Sequence, residues 1–246
     1  MVFQNLAHRG ASAYLPENTL PSFYRGIELG ASGLETDLQK SKDGVIYLFH
    51  DDTMGRTSTV KGKTSDYTWE ELKKVDVGAW FSPKWKNERI VTFDEFLYHF
   101  GGKDLILAIE LKAVFTVDEV KKVIAMINQY NAWGKVTLTS FIFENLANAR
   151  QVDKKIKMGF LMGKIDMEVI DKLKSIGGQQ ICPDALKLTV DDVKLAKQNS
   201  LEVRAWDIRD VDVMNQALAM GVDGMTVNFP DKLSEALAAK GNSLGN

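Results

Sequence analysis

Seven residues, Leu38 to Gly44, separate two runs that both read as β-strands, 33–37 and 45–50, and this gap constrains the fold most. A parallel pair needs a crossover of about a dozen residues, so these two runs, if they pair, form a hairpin. Asp43 and Gly44 supply turn chemistry, which places the turn at Ser41–Gly44. In the register that follows, Lys40 faces Val45, Asp37 faces Leu48 and Glu35 faces His50. Because side chains alternate along a strand, Glu35, Asp37 and His50 are then expected on one face.

The hairpin matters because of a count. Short runs rich in β-branched residues lie at 5–9, 33–37, 45–50, 104–111, 136–140, 157–162, 179–183, 202–207 and 224–228. Amphipathic stretches alternate with them at 18–29, 92–100, 117–130, 143–152, 166–176, 189–199, 210–220 and 231–239. Thr116 or Asp118 opens one of these helices, and Gly30, Gly177 and Gly221 close others. Such alternation predicts parallel strands with helical crossovers. A closed (β/α)8 barrel, the TIM barrel, has eight strands, and treating 45–50 as the returning arm of a hairpin leaves eight. The expectation is a single barrel domain over 1–246, with residues 38–90 as a small insertion between the second strand and its helix. Trp69, Trp80 and Trp85 are expected to pack that insertion into a lid. The 246-residue length suits one α/β barrel, although length alone would also suit two ordinary domains.

Composition excludes several classes of function. Lys and Arg total 31 against 33 for Asp and Glu, a net charge of −2 without a polybasic run, which argues against an extended nucleic-acid partner. No stretch approaches the roughly 20 apolar residues that cross a bilayer, and MVFQNLAHRG lacks the features of a signal peptide. A cytoplasmic protein without stable membrane insertion is therefore expected. Cys182, the single cysteine, excludes an internal disulfide and a multi-thiolate zinc site, and in ICPD it reads as a buried structural thiol. Monomer and homodimer both stay open.

Active sites of such barrels lie at the carboxyl ends of the strands. There the sequence places His8 and Arg9, Glu35 and Asp37, Glu110 and Lys112, with His50 and Asp51 on the hairpin arm. Three carboxylates, Glu35, Asp37 and Glu110, converging in a largely apolar barrel would repel one another unless a cation neutralised them. Oxygen-only ligands select a hard ion, Mg²⁺ or Ca²⁺. Glu110 taken alone is explained equally well by a pair with Lys112; the three together point to metal. His8 and His50 have the pKa for proton transfer near neutrality and could act as a base and acid pair. His99, in FLYHFGG, needs no role beyond a helix carboxyl end. Arg9 and Lys112 beside these groups suit a phosphate diester, although Arg9 could simply pair with Glu17 or Glu35. Asn18 reads as either an N-cap or a substrate contact.

These residues sit in stretches that resemble one family. AHRGASAYLPENT, LETDLQKSKDGVIYLFHDDTMGRT, LAIELK and GVDGMTVNFP together resemble the glycerophosphodiester phosphodiesterases from residue 7 to about 230. The resemblance implies one Mg²⁺ or Ca²⁺ held by Glu35, Asp37 and Glu110, His8 and His50 as the acid/base pair, and Arg9 and Lys112 on the phosphate. It also implies a barrel with an insertion after its second strand. The implied reaction is hydrolysis of glycerophosphodiesters, such as glycerophosphocholine or glycerophosphoethanolamine, to sn-glycerol 3-phosphate and an alcohol. Three stretches depart from the family pattern. Asn228 in TVNFP stands where an acid is common, Asp207 follows Trp206 where Thr-x-Asn is frequent, and RIVTFDEF replaces a more usual Ile-Pro-Thr-Leu-Glu-Glu. These departures are expected to affect substrate preference without touching the metal or histidine set. Trp206 is taken as a substrate contact. With Phe141, Phe143, Leu161 and Phe229 it could also form an apolar ramp for lysophospholipids, the lysophospholipase D alternative. The remaining alternative is a binding barrel without catalysis.

Overall fold

The barrel strands are buried on both faces, which is why they read as continuous apolar runs instead of alternating ones. The computed structural model describes residues 3–243. In chain order the first elements are β1 (Gln4–His8), α1 (Leu20–Glu28), β2 (Gly33–Lys40), β3 (Ile46–Leu48), α2 (Trp69–Leu72), α3 (Phe93–Phe100), β4 (Ile106–Leu111) and α4 (Val117–Gln129). There follow β5 (Val136–Ser140), α5 (Phe143–Val152), β6 (Lys157–Met162), α6 (Met167–Ser175) and β7 (Gln180–Pro183). The last are α7 (Val190–Gln198), β8 (Glu202–Ile208), α8 (Val211–Met220), β9 (Gly224–Val227) and α9 (Pro230–Ser243). All strands but β3 pair in parallel, and β1 closes the ring by pairing with both β2 and β9. The protein is a (β/α)8 barrel, with β3 antiparallel on β2.

Local signals act where the sequence places them. Thr116 caps α4 with a reciprocal box to Glu119, and Gly30, Gly177 and Gly221 end helices at positive φ. Cys182 is fully buried. The main apolar core lies between strands and helices, where Leu34, Leu38, Leu107, Ile109 and Leu111 meet α3 and α4 residues such as Phe96, Phe100 and Val123.

The barrel interior departs from expectation. Alternation turns Gln4, Glu35, Asp37, Glu110, Thr139, Gln180, Arg204 and Thr226 inward, so it is largely polar, not apolar. Arg204, 1% exposed, donates to Gln180 Oε1 at 2.9 Å, to Thr226 Oγ1 and to Cys182 Sγ at 3.4 Å. Gln180 donates in turn to Gln4 at 3.0 Å and to Glu202 at 3.2 Å, and Lys157 pairs with Glu202 at 2.6 Å.

The hairpin forms where expected but in a register one residue away. Leu38 faces Leu48 and Lys40 faces Ile46, because Ser41 N–H donates to Val45 O and the loop contains three residues ending in Gly44 at φ 84°. The expected pairs Lys40 with Val45, Asp37 with Leu48 and Glu35 with His50 do not form; Phe49 N–H donates to Asp37 O instead. A one-residue slip exchanges the two faces of a strand. His50 therefore reaches the site because the chain leaves the ladder after Leu48, not by alternation along it.

Beyond β3 a second apolar cluster forms from Tyr47, Phe49, Met54, Leu72, Val75, Val77 and Ile90. The three tryptophans do not make its core. Trp69 packs at its edge against Tyr47, Trp80 stands exposed beside Phe81, and Trp85 lies under Lys84.

Candidate active site

At the carboxyl ends of the strands a cavity of about 250 Å³ opens, lined on one side by His8, Arg9, Glu35, His50, Glu110 and Lys112. Its other side is Thr139, Phe141, Leu161, Trp206 and Asp207, and Arg204 and Thr226 also line it. Glu35 and Asp37 project from one face of β2, and parallel register sets Glu110 of β4 directly beside Asp37. One carboxylate oxygen from each of the three lies within 4.8 Å of the others, and all three residues are buried.

Burial, then Asp37 and Glu110, push the Glu35 pKa well above its usual value. Burial and Asp37 outweigh the 2.8 Å Lys112 ion pair and bring Glu110 up to about 7. Burial would raise Asp37 as well, but Arg9, His50 and Lys112 hold it at about 2. The cluster thus retains protons that a cation would displace. Asp37 Oδ1 is buried without a hydrogen-bond donor, an acceptor left open in the middle of the set. Oxygen-only donors, shared burial and this open acceptor fit a hard divalent cation.

Both ion pairs that could explain the basic residues without chemistry are present: Lys112 with Glu110, and Arg9 with Glu17 at 3.0 Å. Neither removes its residue from the cavity. Arg9 Nε also approaches Asp37 Oδ2 at 3.2 Å, an ion pair without hydrogen-bond alignment. The backbone explains how Arg9 gets there. It adopts φ 55° and is followed by Gly10 at φ 85°, where a Cβ would lie 2.4 Å from Ser22. Asn18 and Asp207 also adopt positive φ, at 57° and 59°, so three strained non-glycine residues surround one site.

The two histidines are 29% and 30% exposed in their side chains and differ in what stands behind them. His8 Nδ1 lies 2.6 Å from Asn228 Oδ1, which also accepts from Ser12 Oγ at 2.9 Å. An oxygen that accepts requires Nδ1–H on His8 and leaves Nε2 free, 3.9 Å from Glu35. Burial and the Arg9 charge push the His8 pKa down to about 3. His50 Nδ1 instead faces a carboxylate, Asp51 Oδ1, at 2.6 Å. Burial lowers its pKa too, against the pull of Asp37 and Asp51.

The structure corrects two expectations. Asn18 does not cap α1; Thr19 does, accepting from Ser22 N–H. Nor does the Asn18 side chain line the cavity: it donates to Asp37 Oδ2 at 3.0 Å, accepts from Thr36 Oγ1 at 2.8 Å, and so holds the Asp37 carboxylate from behind. Asn228, expected to lie apart from the histidine set, touches His8 directly. Sequence reasoning also gave no role to Arg204, although it lies two residues before Trp206 on the same strand face. Trp206 lines the cavity with its indole N–H already given to Met162 O at 3.1 Å, so it offers a ring and no donor. It meets Phe141 edge to face at 5.1 Å. Of the remaining ramp residues Leu161 lines the cavity, whereas Phe143 packs on Phe160 and Phe229 on the main core. His99 ends α3 and pairs with Tyr24 Oη at 2.8 Å, away from the site.

The sequence and the fold both have known relatives. The sequence model of the Glycerophosphoryl diester phosphodiesterase family matches residues 8–232. A glycerophosphodiester phosphodiesterase of Caldanaerobacter subterraneus subsp. tengcongensis is 33% identical over 230 residues, covering 93% of this chain and 95% of the relative. One from Bacillus subtilis is 29% identical, covering 92% and 83%. Among solved structures, an Oleispira antarctica phosphodiesterase in complex with the product sn-glycerol-3-phosphate superposes with a TM-score of 0.89 at 25% identity, covering 96% and 97%. No helix among the described residues is long and apolar enough to cross a membrane. With a family match over nearly its whole length and a barrel that carries the acids and histidines on one cavity, the chain belongs to the glycerophosphoryl diester phosphodiesterase family.

Proposed function

We propose that this enzyme hydrolyses glycerophosphodiesters, such as glycerophosphocholine or glycerophosphoethanolamine, to sn-glycerol 3-phosphate and an alcohol. The observation that carries the reading is two histidines with opposite backing on the same cavity as Glu35 and Glu110, two of the three clustered, buried carboxylates. Glu35, Asp37 and Glu110 would hold one Mg²⁺ or Ca²⁺, which supplies Lewis-acid stabilisation of charge on the phosphate. Arg9 and Lys112 orient the diester and balance its anionic oxygens.

His8 is backed by a neutral amide and stays unprotonated, which suits a general base at Nε2. His50 is backed by the Asp51 carboxylate, which offsets part of the burial that lowers its pKa and so suits the proton donor of the pair. The attacking hydroxyl gives its proton to His8 as its oxygen bonds to phosphorus. The bond from phosphorus to the alcohol oxygen breaks, and that oxygen takes the proton of His50. The attacking group is water, or the glycerol 2-hydroxyl through a cyclic phosphate; phosphorus NMR during turnover separates these routes.

The test is hydrolysis of glycerophosphocholine and lysophosphatidylcholine with Mg²⁺ or Ca²⁺, and again with chelator. Turnover of the first substrate that stops on chelation is expected. Preference for the second would favour a lysophospholipase D, which Phe141, Leu161 and Trp206 on the cavity wall would serve. No turnover of either would favour a binding barrel.

A further inference from the structure

Arg56 lies in the loop after β3 and is absent from the cavity wall, yet its guanidinium ties the two sides of the site together. Its Nη1 and Nη2 donate to the two Glu17 oxygens at 2.9 and 2.8 Å. Its Nε and Nη2 donate to the two Asp51 oxygens at 2.7 and 2.9 Å. Each carboxylate is shared with a residue that does line the cavity. Glu17 Oε1 also accepts from Arg9 Nη1 at 3.0 Å, and Asp51 Oδ1 from His50 Nδ1 at 2.6 Å. A continuous chain of charge-assisted hydrogen bonds therefore runs Arg9, Glu17, Arg56, Asp51, His50. It joins the loop after β1 to the arm after β3, two segments that the barrel ladder itself leaves unlinked beyond Leu48.

An exposed ion pair contributes little to stability, and Arg56 is 45% exposed. Two forked contacts to two carboxylates are a different matter, because a planar guanidinium fixes the rotation of both acceptors at once. We propose that Arg56 is a positioning residue for the hydrolytic step, setting Asp51 so that His50 keeps Nδ1–H toward the carboxylate and Nε2 toward the substrate, and setting Glu17 so that Arg9 stays aimed at the phosphate. This rests on the phosphodiesterase reading of the site. Lysine cannot replace it, since a single ammonium reaches one carboxylate and fixes neither.

The experiment compares wild type, Arg56→Ala and Arg56→Lys with glycerophosphocholine as substrate, with and without added guanidinium at non-denaturing concentration. In Arg56→Ala, kcat is expected to fall about 10- to 100-fold, as for other residues that orient a ligating or reacting group. Thermal midpoint and divalent-ion affinity by calorimetry should stay near wild type, because Arg56 touches no acid of the cluster. Guanidinium should restore much of the lost kcat in Arg56→Ala and have no such effect on wild type or Arg56→Lys. A residue that merely braces the loop would lower the thermal midpoint and show no rescue. Unchanged kcat in Arg56→Ala, or a loss that guanidinium leaves untouched, overturns the inference while leaving the phosphodiesterase reading intact. A wild-type chain without turnover would overturn that reading instead, and nitrogen NMR of the His50 ring in wild type and Arg56→Ala then tests the positioning alone. A shift of its tautomer supports the inference, and identical spectra overturn it.

Discussion

The rim of the barrel divides into two halves of opposite character. From β1 to β4 it carries His8, Arg9, Glu35, Asp37, His50, Glu110 and Lys112, each in polar contact with its neighbours. From β5 to β8 it offers Thr139, Phe141, Leu161 and Trp206, and its two charges are already engaged: Arg204 donates to Gln180 at 2.9 Å, and Asp207 pairs with Arg209 at 2.7 Å. The difference separates labour along the chain. Both histidines and the clustered acids come from the first 112 residues, and later strands shape the opposite, largely apolar wall of the cavity. The β8 bulge between Ala205 and Ile208, which turns Asp207 toward the cavity, belongs to the shaping half.

Substitutions test this division, beginning where the effect should be greatest. Glu35→Ala or Asp37→Ala should abolish Mg²⁺ binding by calorimetry and turnover with it; Glu110→Ala retaining full activity in chelator would sink the metal assignment. His50→Ala should lower kcat about 10²- to 10⁴-fold, and normal turnover would remove His50 from the mechanism. Asn228→Ala crosses the division, since the residue follows β9 but serves His8. A loss in kcat of about 10- to 100-fold is expected, with KM changing less. Trp206→Ala should act mainly on KM, raising it about 2- to 10-fold. A collapse in kcat there would place chemistry in the shaping half.

The smallest effect concerns pH. Glu110 titrates at about 7 when folded against an ordinary value of 4.5, and Glu35 shifts in the same direction. The folded chain therefore binds these protons more tightly than the unfolded chain. Without a divalent ion, this contribution to stability is complete below about 4.5 and is lost as pH rises through about 7. The lowered His8 and His50 pKa values act in the opposite direction below about 6.5. Thermal midpoints should therefore fall from pH 6.5 to pH 8, and Mg²⁺ should restore them more at pH 8 than at pH 6.5. A flat profile would mean that the acids are neutralised in some other way.

The sequence made the ring of strands legible because short β-branched runs and capped helices are local signals. The acids Glu35 and Asp37 were legible for the same reason, two residues apart on one strand. What escaped was set by distance or by a single turn. One extra loop residue at Gly44 moved the hairpin register, and nothing in DG distinguishes a two-residue loop from a three-residue one. Thr19 took the cap from its neighbour Asn18 because Asn18 bends into positive φ and turns its amide to Asp37. The contact of His8 with Asn228 spans 220 residues, and only closure of the ring brings it about.

That closure has a consequence for the order in which the molecule can become active. β1 leaves the ribosome before the other barrel strands and can find β2 after some thirty residues, but its other edge pairs with β9, the last of those strands to be synthesised. Until then an open sheet exposes the edge of β1, and His8 lacks the oxygen that sets its tautomer. A chain that has made β4 but not β9 has the strands of its acid cluster and still an unoriented His8, so the site is complete only when the last barrel strand is in place.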